Sequence, residues 1–187
     1  MLQRLIGFLR MSLSHTRAEH CTLAQEFELL RSYLDIQGMR FGARLDYEID
    51  LPPALAEAEI PPMLVQPLVE NAVTHGIEPC MRGGKIVLSA RETGDGSLQV
   101  VIADTGVGFS QGNKGSKGGS GLGLTHVRER LARIFGAAAT MQMEENTPRG
   151  VVVRLTLPLQ RGFEPMSVPV RAAAGAADLQ HAPAGVA

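Results

Sequence analysis

The sequence predicts an α+β fold, a two-layer α/β sandwich in which helices cover a mixed sheet and further helices precede it. Helical periodicity dominates the first 42 residues, and short strands with period-two alternation follow, mixed with two more helices. After residue 42 the strands and helices do not alternate regularly. This order is typical of an α+β layer structure and not of a doubly wound parallel sheet.

Length and composition indicate one folded domain with short extensions. The chain has 187 residues, 44% of them hydrophobic, and its 18 basic and 19 acidic residues nearly cancel. This balance gives neither a basic field for nucleic acid nor a polybasic tract for a membrane surface. The sequence has no run of roughly 18 apolar residues, and Cys21 and Cys80 lack the spacing of a disulfide or zinc scaffold. We therefore expect a cytoplasmic chain without nucleic-acid or membrane contact.

Two amphipathic helices are predicted at the start of the chain. In the first, apolar residues recur at helical spacing: Leu2, Leu5, Ile6, Leu9 and Leu13. The second begins with a capping-box sequence at Thr22 and extends to about Arg40. Its stripe alternates spacings of four and three and has one polar member: Leu23, Phe27, Leu30, Leu34, Gln37 and Phe41. Such a stripe can be the seam of a helix pair in a dimer or can pack on its own domain, and the periodicity fits both.

The remaining elements have clear end signals. Pro67 suits the first turn of a helix, where a missing N–H is harmless, and Asp95-Gly96 marks a hairpin turn. Gly76 and Gly136 mark helix ends. The predicted order is a strand at 45–51, a helix from Pro61-Pro62 to about His75, strands at 85–90 and 98–103, a helix at 122–135, and strands at 140–144 and 151–157.

Two segments show no regular periodicity. Residues 106–119 are glycine-rich and polar and are predicted to form a mobile loop. Beyond Gln160 the chain is rich in Ala, Pro and Gly, which predicts a disordered tail. The chain therefore divides into a helical region at 1–42, a domain at 43–160 and a tail at 161–187.

The first polar cluster lies on the helix that follows Pro61-Pro62. Asn71 and His75 are four residues apart and share a face that differs from the apolar stripe of that helix. The amide oxygen of Asn71 suits a hard cation such as Mg²⁺, which binds mainly through substrate phosphates and keeps several waters. Glu70 adds a carboxylate beside it. The alternative is a solvated helix face with ordinary polar residues.

The second cluster follows an apolar strand. Asp104 emerges at the end of that strand, where loops usually build sites. Its carboxylate can accept a hydrogen bond from an exocyclic amine such as adenine N6, and Gly106 and Gly108 allow the backbone to approach a flat ring. The alternative is a plain Asp-x-Gly turn between two elements.

The third cluster is a run of glycines just ahead of the last helix: Gly118, Gly119, Gly121 and Gly123. The free N–H groups and the dipole of a helix start attract phosphate oxygens. A Walker A loop is excluded because Gly84-Lys85 is followed by Ile86. A Rossmann fingerprint is excluded because Leu124 stands at the third glycine position. A flexible loop is the alternative.

In this order the clusters resemble the nucleotide site of the superfamily that unites gyrase, heat-shock chaperone, MutL and histidine-kinase ATPases. The run from Pro61 to Gly76, with Glu70-Asn71 near its end, is similar to the N box of LytS-type sensor histidine kinases. Residues 29–37 and the triplet Arg40-Phe41-Gly42 resemble the helix that precedes it in that family. The resemblance covers about residues 5–159 and implies the Bergerat-type ATP-binding fold, with ATP and Mg²⁺ as ligands.

The resemblance also implies the roles of the adenine end of the site. By it, Asp104 binds the adenine amine and His75 covers the adenine. Gly106 and Gly108 shape the floor of the pocket.

For the phosphate end, the resemblance implies that Asn71 holds Mg²⁺ on the triphosphate and that Glu70 positions a water or acts as a base. Gly119, Gly121 and Gly123 would form the phosphate side of a lid spanning about 110–120, and Leu122 would bind the nucleotide with them. Thr74 stands where related kinases often carry a lysine.

The family resemblance implies an ATP-dependent protein-histidine kinase domain that signals to a response regulator, with the LytTR type as one candidate class, and that forms a homodimer through the N-terminal helices. The family's His-Phe-x-Phe-Asn acceptor motif does not occur in this sequence, where no histidine is followed by Phe. We therefore expect the acceptor histidine and the sensor to lie outside this chain.

Other functions remain open at this point. A non-catalytic module that binds nucleotide or dimerises with full-length kinases has the same motifs. A serine-kinase anti-sigma-type relative matches the long N-terminal helices poorly. A gyrase-like ATPase needs a glutamate four residues before the asparagine, and that position is Pro67.

Overall fold

The computed structural model describes residue 6, residues 20–109 and residues 120–161, with the backbone alone at residues 120–122. The first predicted helix, most of the glycine-rich loop and the predicted tail lie outside this part of the chain.

A five-stranded mixed sheet forms one layer of the domain. Its strands, in spatial order, are β2 (Leu45–Asp50), β4 (Gly84–Glu92), β5 (Ser97–Asp104), β7 (Val151–Pro158) and β6 (Thr140–Glu145). β2 and β4 run parallel, and all other neighbours in the sheet are antiparallel. A small antiparallel ladder joins β1 (Cys21–Thr22) to β3 (Glu59–Ile60). The predicted α+β fold with a mixed sheet is thus confirmed.

The sheet has one buried face, as the period-two pattern predicts. In β5, Leu98, Val100 and Ile102 are buried and alternate with more exposed neighbours, and β4 follows the same pattern. The hairpin between these two strands turns at Gly96, whose φ of 78° favours glycine. The predicted strands and the predicted hairpin are therefore confirmed, with ends that differ by at most two residues.

Helix α1 (Leu23–Phe41) begins at the predicted capping box. The N–H of Gln25 donates to Thr22 Oγ1 at 3.2 Å, and Gln25 Oε1 accepts from the N–H of Thr22 at 3.0 Å. Four stripe residues belong to the same buried cluster as the sheet: Leu23, Phe27, Leu30 and Leu34. Of the two interpretations of the stripe, packing on its own domain is the one observed for these four. The homodimer and the domain boundary after residue 42 stay predictions, although α1 shares its core with the sheet.

Helix α2 (Gln66–Asn71) begins later than the sequence predicts. Residues 61–65 are not helical because Met63 has a φ of 56°, which no residue in a right-handed helix adopts. Pro67 lies in the first turn, as predicted. The helix continues as a π-helical turn (Ala72–Ile77), so Gly76 is not the residue after the helix but a member of this turn. The prediction that Gly76 ends the helix is wrong, and its actual role is a close contact described below.

Helix α3 (Ser120–Phe135) begins two residues earlier than predicted and is followed by Gly136, whose φ is 57°. Val127 and Leu131, on its predicted apolar face, are buried in the core. α3 packs against α2, so the helices form a layer over the buried face of the sheet. Within the described ranges, no helix is long and apolar enough to cross a membrane.

We expect Leu30→Ala to lower the free energy of unfolding by about 2–5 kcal/mol, because this side chain is fully buried in the core of its own domain. Urea unfolding measures the change. Arg31→Ala, at the exposed neighbouring position of the same helix, is the control and should change stability by about 0.5 kcal/mol or less. A Leu30→Ala variant that weakens only self-association and leaves the unfolding of the monomer unchanged would contradict this packing.

Candidate functional site

The position of Asp104 follows from the alternation of buried and more exposed residues along β5. Side chains at every second position of a strand share a face, so Asp104 follows Leu98, Val100 and Ile102 on the buried side. It is 3% exposed and is the last residue of the strand rather than the first residue after it. The sequence pattern therefore places a carboxylate at the end of a core strand, beneath the helix layer.

The π-helical turn approaches Asp104 and Gly106 as closely as backbone allows. A Cβ on Gly76 would lie 2.8 Å from Asp104 Oδ1, and a Cβ on Gly106 would lie 2.2 Å from the carbonyl oxygen of Gly76. The N–H of Val107 donates to that same carbonyl at 3.1 Å, and the N–H of Gly106 donates to Asp104 Oδ1 at 2.8 Å. We call this arrangement the Gly76–Asp104–Gly106 contact. It joins the first predicted cluster directly to the second.

Asn71 and His75 lie on the helical segment that contains Gly76. Asn71 is the last residue of α2, and His75 lies within the π-helical turn, both half-buried, whereas Thr74 is exposed. The turn is π-helical because the N–H of Glu78 bonds to the carbonyl of Val73 at 2.8 Å. Such wide turns occur frequently at functional sites.

Glu70 is engaged with its own helix and with α1. Gln66 Nε2 donates to Glu70 Oε1 at 2.7 Å. Burial, and secondarily the negative charge of Glu70, raises the pKa of Tyr33 to about 12, so the carboxylate lies near the α1 side of the helix. Glu70 thus follows directly before Asn71 in the chain and has its contacts with Gln66 of α2 and Tyr33 of α1.

Sequence reasoning missed a second wall behind Asp104, formed by the turn between β6 and β7. Asn146 Nδ2 donates to the carbonyl of Asp104 at 2.7 Å, and a Cβ on Gly150 would lie 1.9 Å from that same oxygen. Beside this turn is a cavity of about 180 Å³ whose lining includes Gly108, Phe109 and Arg149. The Asn-Thr-Pro-Arg-Gly sequence signals a turn, but nothing in it indicates which strand end the turn contacts.

The structure describes only part of the predicted glycine run. Gly121, Leu122 and Gly123 lie in the first turn of α3, and Gly119 lies outside the described residues. The first N–H groups of a helix lack intrahelical partners and favour anions. Because α3 packs against α2, its start belongs to the same side of the sheet as Asn71.

The electrostatics of Asp104 fit a hydrogen-bond acceptor. Burial raises the pKa of its carboxyl above the usual range, and the N–H groups of Gly106 and Val151 partly oppose that rise. A buried carboxylate that is already oriented by a backbone N–H can accept one further donor from a ligand without reorganising. The site is therefore suited to recognising an amine on a flat ring.

Within the ranges that the structure covers, no group of three or more His, Cys, Asp or Glu side chains could hold a metal ion. The Asn71 amide oxygen is chemically suited to Mg²⁺, which is commonly bound by one or two protein oxygens together with phosphates and water.

Two family models match the chain. Residues 61–161 match a family described as histidine kinase-, DNA gyrase B- and HSP90-like ATPase, and residues 1–45 match a family described as histidine kinase. The first match contains all the site residues discussed above.

The chain is similar to curated sensor kinases and to solved kinase domains. It is 30% identical to the sensor histidine kinase YesM of Bacillus subtilis over 82% of this chain, and 30% identical to the sensor protein LytS of Oceanobacillus iheyensis over 84%. It spans only 26% and 28% of those two proteins. The histidine kinase domain of a blue-light activated kinase from Erythrobacter litoralis EL346 aligns with a TM-score of 0.58 at 17% identity, covering 84% of this chain and 74% of that one. This last likeness shows the fold.

We expect Gly106→Ala to lower the free energy of unfolding by about 1–3 kcal/mol, because its Cβ would overlap the Gly76 carbonyl and the two segments would have to separate. Thermal unfolding provides the measurement. Gly94→Ala is the matched control, since a Cβ at Gly94 meets nothing within 4 Å. Equal effects of the two substitutions would show that the close contact is absent in solution.

Proposed function

Because the chain belongs to the histidine kinase-, DNA gyrase B- and HSP90-like ATPase family, we propose that it is the ATP-binding catalytic domain of a two-component sensor histidine kinase. The γ-phosphoryl group of ATP passes to an imidazole nitrogen of a histidine outside this chain, and ADP leaves. The observation that carries the proposal is the Gly76–Asp104–Gly106 contact. It holds a buried acceptor beside the segment that carries Asn71 and His75.

The adenine end of the proposed site lies at the end of β5. Asp104 accepts a hydrogen bond from the exocyclic amine, because its carboxylate is buried and already oriented by the Gly106 N–H. Gly106 and Gly108, whose Cβ positions face Gly76 and Gly150, shape the floor of the pocket. His75 covers the ring from the π-helical turn.

The phosphate end of the proposed site lies between α2 and the start of α3. The Asn71 amide oxygen would hold Mg²⁺, which neutralises charge on the triphosphate when bound. Gly119, Gly121, Leu122 and Gly123 supply backbone N–H groups to the phosphates.

Glu70 has a supporting role in this proposal. Its hydrogen bond from Gln66 and its proximity to Tyr33 fix the last turn of α2, from which Asn71 projects. A neutral imidazole nucleophile needs little deprotonation, so the positioning role suits Glu70 better than the role of a base. Phosphoryl transfer depends mostly on positioning and charge neutralisation.

The wider setting follows from the sensor kinases that the chain resembles. We propose that the acceptor histidine passes the phosphoryl group to an aspartate of a response regulator, with the LytTR type as one candidate class, and that the N-terminal helices form a homodimer. A cytoplasmic location fits the need for ATP and the two buried free cysteines, Cys21 and Cys80.

We expect Mg-ATP to bind saturably in the micromolar range, measured with a fluorescent adenine nucleotide. Asp104→Asn should weaken binding of adenosine and Mg-ATP alike by at least about tenfold, because it removes the negative charge and turns an NH₂ donor towards either the Gly106 N–H or the adenine amine. Asn71→Ala should weaken Mg-ATP and leave adenosine unchanged. Gln142→Ala, an exposed amide on β6, is the control for both. Absence of nucleotide binding by the unmodified chain would overturn the proposed function.

Kinase activity is tested separately from binding. When a separate helical fragment that contains the family's His-Phe-x-Phe-Asn motif is supplied with labelled ATP, we expect acid-labile label on its histidine, and none with Asn71→Ala. A chain that binds Mg-ATP tightly but labels no acceptor fragment would indicate the regulatory module instead.

A further inference from the structure

Glu26 is a buried carboxylate that reaches from α1 to the segment preceding α2. It is 0% exposed. Its Oε2 accepts from the N–H of Met63 at 2.8 Å, and its Oε1 accepts from the N–H of Val65 at 3.0 Å. The Cys21 thiol lies 3.9 Å from Oε2 and also donates to the carbonyl of Ile60. A carboxylate removed from water is tolerated only with such partners.

The segment from Pro62 to Val65 needs this support. Met63 adopts a φ of 56°, which is unfavourable for a residue with a side chain. α2 has no side chain of its own capping its first turn, and the helix is only six residues long. The two N–H groups that Glu26 satisfies belong to Met63 and to the N-cap residue Val65, so the carboxylate fixes the backbone that leads into the first turn of α2.

A second helix also holds the same segment. Arg130 Nη1, from α3, donates to the carbonyl of Pro62 at 2.7 Å. α3 is the helix whose first turn carries Gly121 and Gly123. The short stretch between Pro62 and Val65 is therefore the place where α1 and α3 both bind to the backbone that leads into α2.

The far end of the same helical segment is anchored by other side chains. Arg44 Nη2 donates to the carbonyls of Glu78 and Cys80 at 2.9 and 3.0 Å, and Arg40 forms an ion pair with Glu78. The Gly76–Asp104–Gly106 contact fixes the π-helical turn itself. Loss of Glu26 would thus release the start of α2 and leave the adenine end in place.

We propose that Glu26 is a positioning residue for the phosphate end of the nucleotide site, acting through the first turn of α2 on Asn71. Asn71 lies six residues beyond Val65, about 9 Å along a helix, so a shift at the anchored end displaces the Asn71 amide. This inference rests on the proposed function and adds a route by which movement of α1 relative to α3 changes the binding of Mg-ATP.

The test compares Glu26→Gln with Glu28→Gln in the full chain. The amide introduced by Glu26→Gln would keep one acceptor but turn its NH₂ group towards the other backbone N–H, whereas Glu28 is exposed on the same helix and bonds only loosely to Arg31 at 3.7 Å. Dissociation constants for Mg-ATP and for adenosine are measured at a temperature where each variant is fully folded. Amide hydrogen exchange is followed in α2 and, as an internal reference, in β5.

We expect Glu26→Gln to weaken Mg-ATP about tenfold, to leave adenosine within about twofold, and to speed exchange in α2 but not in β5. Glu28→Gln should match the unmodified chain in every measurement. Equal weakening of both ligands, or unchanged Mg-ATP binding and unchanged exchange, would overturn the role of Glu26. Failure of the unmodified chain to bind either ligand would instead overturn the proposed function, and this inference with it.

If Glu26→Gln does not fold, Arg130→Gln decides the question, because it removes the other anchor of the same segment from a half-buried side chain. Weaker binding of Mg-ATP with unchanged adenosine supports the proposal. No effect, or an equal effect on both ligands, contradicts it.

Discussion

The close approach of the π-helical turn to the end of β5 is the constraint on which the candidate site depends. Gly76 and Gly106 have no side chains at positions where a Cβ would meet backbone or the Asp104 carboxylate. Because these side chains are absent, the carbonyl of Gly76 can accept a hydrogen bond from the N–H of Val107, and the helical turn lies directly against the end of β5. With larger residues the helix layer would lift from the sheet, and Asp104 would lie beside solvent instead of beneath the turn that carries His75.

The burial of Asp104 is a cost that its surroundings partly offset. Desolvation raises its pKa, and two backbone N–H groups work against that rise. Asn146 and Gly150 secure the main chain of the same residue from the β6–β7 turn. A carboxylate held in this way on several sides keeps its orientation before a donor arrives, which is the property that recognition of an adenine amine requires.

Helix α1 connects the hydrophobic core to the helical segment that carries Asn71. Its apolar stripe forms part of the core that lies under the sheet, and its polar residues Glu26 and Arg40, with Arg44 just beyond it, contact the two ends of the segment that contains α2. A stripe buried in its own domain cannot at the same time be the complete seam of a dimer. α1 therefore contacts the segment that contains Asn71 at both of its ends.

Most of the fold could be predicted from the sequence because its signals are local. Alternation in β4 and β5, the capping box at Thr22 and the turn at Gly96 each involve neighbours in the chain, and the structure contains all of them. The residue types of the candidate site could also be predicted, since Asn71, Asp104 and their neighbouring glycines form separated motifs whose order is more specific than any one of them.

What could not be predicted depends on partners far away in the chain. The late start of α2 follows from the positive φ of Met63, which a carboxylate 37 residues away supports. The burial of the α1 stripe could not be separated from dimer formation, because both interpretations have the same periodicity and differ only in the surface that covers it. Gly76 resembled a helix stop because a glycine that ends a helix and a glycine that admits a neighbouring chain are identical in sequence. The order of residues in the chain thus specified which side chains carry the chemistry, and the packing of one segment against another specified which of them meet.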